Sequence, residues 1–212
     1  MSGGDVYVAG IRSFAGEVVD LARDAGLSVT GLLSPRGGEP PQERAHGLPV
    51  RGIDAAPGGS REVIVGTGDP ARREIVERLK SAGWRPRTLI HPHAHLAPSA
   101  TVGEGALIAP GVVVGAHSVL GDHVVLGRGT LVGHHTEIGA FATLGPGSNV
   151  AGNVRVEPDA FLGMAAVVRD HVAIGAWAMV GMGAVVVADV APGAHVRGVP
   201  ARAVAAPTHP RA

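Results

Sequence analysis

The sequence contains no cysteine, so thiol nucleophiles, cysteine-ligated zinc and disulfides are excluded together, leaving histidine, carboxylates and hydroxyls to carry any chemistry. Aromatic residues make up 3% of the chain, too few for a core of large rings, so Val, Ala, Leu and Ile must fill the interior. Lys80 is the single lysine among 18 basic residues, a bias attributable to a GC-rich genome. Neither sign of charge is in excess, with 18 basic against 18 acidic side chains, which argues against nucleic acid or an anionic membrane as partner. No apolar run is long enough to span a bilayer, and Met1–Asp5 lacks the basic and apolar regions of a secretory signal, so the expected compartment is the cytoplasm.

What remains is 212 residues rich in glycine (33) and proline (16), enough for two small domains. The first part alternates strand and helix. Val6–Gly10 is a β-branched run, residues 17–22 carry apolar side chains at helical spacing with Gly26 as a stop, and Leu27–Leu33 reads as a second strand. Residues 34–60 hold many prolines and glycines and read mostly as loop, with Leu48-Pro49-Val50 a possible edge. Residues 62–66 form a further strand and 71–80 a helix with Ile75, Val76 and Leu79 on one face. Such alternation implies a small parallel sheet of Rossmann type over residues 1–88.

From Leu89 the period becomes six. Seventeen hexads follow over 102 residues without an insertion; the second place is always Ile, Leu or Val, the third is Gly in ten, and the sixth is always Ala, Ser, Thr or Val. Neither a helix nor a simple strand has that period; a hexapeptide β-helix does. Three hexads make one triangular coil, so residues 18 apart stack in a column, and the small inward residues account for the scarcity of aromatics. The segment 191–202 breaks the repeat and is expected to cap the prism, the helical domain ending at 204 and a disordered tail occupying 205–212.

These hexads, with Gly163, Gly181-Met182-Gly183-Ala184 and the closing Gly198-Val199-Pro200-Ala201-Arg202, resemble the left-handed β-helix acyltransferases. With the α/β segment in front, residues 5–204 resemble the family of sialic acid O-acetyltransferases and bacillosamine-pathway amino-sugar N-acetyltransferases. The resemblance implies a homotrimer, acetyl-CoA as co-substrate in a groove between adjacent prisms, and an acceptor sugar held partly by the N-terminal domain. It places the catalytic base at His134 in Gly133-His134-His135-Thr136-Glu137-Ile138-Gly139, where imidazole suits removal of a proton from an attacking amine or hydroxyl near neutral pH. Where the family has a carboxylate after the base, this chain has His135, leaving Glu137 or a carboxylate of a neighbouring subunit as alternative partners. The resemblance further implies that Gly152, 18 residues above His134, offers its N–H to the thioester carbonyl. Met164 and Met182 match positions that meet the pantetheine arm, and Arg197 and Arg202 the nucleotide end of the cofactor.

The glycine-rich turn after the first strand reads Gly10-Ile11-Arg12-Ser13, so Gly10 and Arg12 remain as candidate acceptor-binding residues together with Gly68 and Asp69. The bulk of residues 11–13 argues against tight binding of a UDP-sugar, although Arg12 still offers a charge. No metal is expected. His91, His93 and His95 form an H-x-H-x-H without a flanking carboxylate, and the spacing of a γ-class carbonic anhydrase is not matched. The column His117, His135, Asn153, His171 is the remaining place for an adventitious ion. The expected function is acyl-CoA-dependent transfer to an amine or hydroxyl of a sugar-like acceptor, without an acyl-enzyme. The alternative is a trimeric scaffold or sensor of the same fold with reduced turnover.

Overall fold

The computed structural model describes residues 4–35, 43–54, 60–68 and 72–205, which form two compact units dividing between His91 and Pro92. In the first unit, β1 (Asp5–Ala9), β2 (Ser28–Ser34), β4 (Leu48–Gly52), β5 (Glu62–Val65) and β6 (Arg85–Pro86) are parallel, in the order β4-β2-β1-β5-β6. Helix α1 (Ser13–Asp24) connects β1 to β2 and buries Ala15, Val18, Val19, Leu21 and Ala22. It stops at Gly26, whose φ of 75° is open to glycine, while Leu27 N–H donates to Ala22 O at 2.9 Å. Helix α2 (Arg72–Ser81) precedes β6 and buries Ile75, Val76 and Leu79.

Within the stretch read as loop lies a hairpin, β3 (Arg44–Ala45) running antiparallel to β4. Its two-residue turn, His46-Gly47, has φ of 49° and 74°, the geometry that twisted strands require. Histidine enters this turn less readily than Asn or Asp, which is why the sequence carries a weak signal there.

The six-residue period is realised from β7 (Leu89–Ile90) to β23 (Val185–Val186) as seventeen two-residue strands, one per hexad, wound into a left-handed β-helix. Partners are 18 residues apart in every sheet: Val113 pairs with Leu131 and Leu131 with Asn149, while Val119 pairs with Glu137 and Glu137 with Arg155. Second-place residues such as Leu126, Leu144 and Leu162 point inward and are fully buried, as are sixth-place Ala106, Val124 and Ala142. Burying each leucine stabilises the prism by about 1.5–3 kcal/mol.

The corners explain the other places of the hexad. Among the described residues the fifth place takes positive φ at His117, His123, His135, Phe141, Asn153, Asp159, Ala165, His171 and Trp177, and at Gly105, Gly111, Gly129, Gly147 and Gly183. Proline at the fourth place, as in Pro110, Pro146 and Pro158, followed by a left-handed residue is the pattern of a type II turn. Third-place glycine answers a different demand, since a Cβ on Gly133 would lie 2.4 Å from Gly152 N in the coil above.

After β23 the chain returns to the prism as β24 (His195–Arg197), parallel to β22 (Met179–Val180), and β25 (Arg202–Val204) folds back antiparallel on β24. Ala205 follows without regular structure, and the rest of the expected tail, 206–212, lies outside the described residues, as does Asp69. No helix among the described residues is long and apolar enough to cross a membrane.

Candidate active site

His134 stands on the corner between β14 (Leu131–Val132) and β15 (Glu137–Ile138), with its side chain exposed. The backbone beneath it is tied to both neighbouring coils. His135 N–H donates to Ala116 O at 2.9 Å, and Asn153 N–H donates to His134 O at 3.0 Å. Two buried hydroxyls complete the anchorage: Thr136 Oγ1 donates to Ala151 O at 3.0 Å, and Ser118 Oγ donates to Gly133 O at 2.7 Å. Inside a dry core such bonds hold the turn firmly, because breaking one leaves a buried carbonyl unsatisfied. Thr136 and Ser118 are functional neighbours that the six-residue period leaves unmarked. Their signal was there, in two hydroxyls 18 residues apart at sixth places beside the histidine corner.

The imidazole of His134 lies against Gly152. A Cβ at that glycine would come within 2.8 Å of His134 Cε1 and 2.9 Å of Nε2, so the ring occupies space that only glycine leaves open. Among the described residues no acceptor receives the Gly152 N–H. An imidazole nitrogen and, among the described residues, an unengaged amide donor therefore share one corner. The Nδ1 atoms of His134 and His135 are 3.1 Å apart, and the His135 ring also packs on His117 with centroids 4.9 Å apart. Glu137 is not brought to this contact; it is exposed on the next face, and no hydrogen bond or ion pair among the described residues joins it to His134.

The remaining expected residues fall elsewhere. Met164 and Met182, 50% and 70% exposed, stack on the corner between β19 (Phe161–Leu162) and β20 (Val167–Val168) and its repeat one coil higher. That is a different corner from the one bearing His134. Arg197 and Arg202 face each other across the β24–β25 ladder, both exposed, and neither meets a carboxylate among the described residues. In the first unit, Gly10 is buried at the end of β1, where a Cβ would strike Gly66 O at 2.5 Å. Arg12 is the exposed N-cap of α1 without a side-chain capping bond, and Gly68 is exposed just past β5. Gly10, Arg12 and Gly68 thus gather at the carboxyl ends of β1 and β5, where the strand order reverses direction.

The histidine-rich start of the prism forms no metal cluster. His91 is buried, with Nε2 3.3 Å from Asp24 Oδ2, while His93 and His95 are exposed. Among the described residues no group of three or more His, Asp or Glu side chains converges on a cation site.

A family model described as bacterial transferase hexapeptide (six repeats) matches residues 85–116. The solved structure of PerB from Caulobacter crescentus, in complex with CoA and GDP-perosamine, superposes with a TM-score of 0.88 at 32% identity over 95% of this chain and 98% of that one. The chain belongs to the hexapeptide-repeat transferase family. A second member of similar shape is the acetyltransferase domain of PglB from Neisseria gonorrhoeae in complex with acetyl coenzyme A, with a TM-score of 0.85, 29% identity, and coverage of 95% of this chain and 100% of that one. Structures with an alanine or an asparagine in place of one histidine of the Caulobacter perosamine N-acetyltransferase, again with CoA and GDP-perosamine, align equally well, with a TM-score of 0.88. No curated protein sequence matches the chain closely enough to count as a relative.

Proposed function

We propose that this transferase moves an acetyl group from acetyl-CoA to the amine of an amino sugar. The observation that carries this reading is the His134 ring seated on Gly152 beside an amide that has no acceptor among the described residues. His134 Nε2 takes a proton from the acceptor nitrogen as that nitrogen attacks the thioester carbonyl carbon. The oxyanion that forms is received by Gly152 N–H. As the tetrahedral intermediate collapses, the C–S bond breaks and His134 returns the proton to the departing sulfur, so the enzyme ends as it began. The CoA-bound and acetyl-CoA-bound relatives support this assignment of the donor, and GDP-perosamine in PerB supports an amino sugar as acceptor.

The working unit of this reading is a homotrimer. His134 with Gly152, and Met164 with Met182, occupy different corners of one prism, so a groove containing both sets needs two copies. An outward stripe of Val113, Leu131 and Val167, each 40–41% exposed and interrupted by Asn149 between the last two, supplies the largely apolar face on which copies pack. The pantetheine arm then runs along Met164 and Met182 to the paired guanidiniums of Arg197 and Arg202, which receive its phosphates. The N-terminal unit is a Rossmann-type acceptor domain, supported by one helix crossing between parallel strands and by the reversal of strand order beside Gly10. Ile11, Arg12 and Ser13 at that turn weaken the hold on a pyrophosphate, and GDP-perosamine in PerB supports GDP over UDP as the nucleotide to test first. Its compartment is the cytoplasm, where acetyl-CoA and activated sugars meet.

Thiol release on mixing the protein with acetyl-CoA and a nucleotide-linked amino sugar is the direct test, with His134→Ala expected to lose at least about a hundredfold in kcat, within the general-base range of about 10²–10⁴. Calorimetry should register GDP more strongly than UDP. Undiminished transfer by the His134 variant would remove the base assignment. Tight CoA binding without transfer to any amine would leave the scaffold reading.

A further inference from the structure

Resting on the base role just assigned to His134, we propose that His135 is its positioning partner, a neutral imidazole standing where a carboxylate would otherwise hold the base, so that the active corner works only while both rings are uncharged. The two Nδ1 atoms lie 3.1 Å apart, within hydrogen-bond distance. A base that accepts at Nε2 must carry its proton on Nδ1, and that N–H points at His135 Nδ1. His135 must therefore present a lone pair there and keep its own proton on Nε2.

The backbone and the neighbouring coil keep His135 in that orientation. Its φ of 54° belongs to the corner geometry repeated along the prism, and its ring packs on His117 at 4.9 Å. The groups surrounding the pair are His117 in the coil below, Asn153 in the coil above, and Glu137 on the next face; His171, one coil beyond Asn153, has Nε2 3.9 Å from Asp170 Oδ2. None of these presents a carboxylate to the Nδ1–Nδ1 contact.

Two consequences follow for proton transfer. When Nε2 accepts the acceptor's proton, the Nδ1–H to Nδ1 bond becomes charge-assisted and steadies the imidazolium. When His135 is instead protonated first, its Nδ1–H faces the Nδ1–H of His134. The base then relieves the clash by moving its proton to Nε2, the atom that has to be free. One proton on either ring thus silences the corner, and a second proton silences it further, as in any coupled pair.

The chain itself supplies substitutions that fit the backbone. At the same place of other hexads, Asn153, Phe141 and Asp159 adopt φ of 58°, 62° and 61°. His135→Phe keeps a ring but removes the acceptor, and should lower kcat at least about tenfold to a hundredfold, the range found when a metal-bound histidine loses its hydrogen-bond partner, with KM for acetyl-CoA little changed. His135→Asn restores an acceptor that does not titrate and should recover most of the rate. The acid limb of kcat/KM should approach a slope of two in the parent enzyme and one in His135→Asn. Taking the ratio of the two profiles cancels the acceptor's own ionisation. His135→Asp should also give a slope of one, displaced to higher pH because a carboxylate favours the imidazolium. Equal losses in all three variants, or a parent-like rate in His135→Phe, would overturn the proposal while leaving His134 as base, provided His134→Ala remains inactive. An active His134→Ala enzyme would instead bring down the base reading itself.

Discussion

His134 owes its place to its neighbours more than to its own ring. Its carbonyl, the amide of His135 and the hydroxyl of Thr136 are each tied to an adjacent coil, while Gly152 keeps clear the space in which the ring lies. Gly152→Ala is therefore the most economical perturbation. A methyl there would sit within about 3 Å of three ring atoms, and displacing a catalytic group by about 1 Å costs up to about a hundredfold in rate. Steady-state kinetics should show kcat falling while calorimetric CoA binding stays near the parent value; an unchanged kcat would mean that the ring has room to spare. Much of this corner was legible beforehand, because column arithmetic alone sets Gly152 above His134. The 3.1 Å contact with His135 was not, since a period locates backbones and says nothing of ring rotation. Thr136 and Ser118 escaped notice because a hydroxyl in the sixth place satisfies the small-residue rule as well as alanine does.

At the scale of elements, the seventeen short strands followed directly from the repeat, since no other structure accommodates a six-residue period without interruption. The strands β3 and β6 carried almost no signal; two residues each, they form because longer neighbours offer unpaired edges, a tertiary effect rather than a propensity. The terminal ladder of β24 and β25 has a feature the sequence hid, the placement of Arg197 directly opposite Arg202. Like charges across a ladder are unfavourable by themselves, and the phosphates assigned to the pair in the proposed function would supply the missing counter-charge. Replacing both with alanine should raise KM for acetyl-CoA more than it lowers kcat. Urea denaturation should find the double variant as stable as the parent or slightly more so. A drop in kcat alone would assign the arginines a structural role.

At the scale of the whole molecule, the proposed trimer requires copies of the prism to meet, and the stripe of Val113, Leu131 and Val167 is the face proposed for that contact. Leu131→Arg places a charge in that stripe at an outward position and leaves the buried Val132 beside it untouched. Native mass spectrometry should find trimers of the parent protein and monomers of this variant at micromolar concentration, with an unchanged circular dichroism spectrum and no transferase activity; an active monomer would mean that one prism suffices. The 18-residue column also governs which changes of chain length this architecture survives. Removing one full coil, such as residues 155–172, lowers everything above it by one rung, about 4.8 Å, and returns every later side chain to its own corner. Removing a single hexad turns the upper coils by a third of a revolution, so a cut between Met164 and Met182 separates that stacked pair and one between His134 and Gly152 separates theirs, whereas a cut outside a pair leaves it stacked. Length variants that retain function should therefore differ by whole coils within the prism, or by loops let out at a corner, where an excursion leaves the count on either side intact.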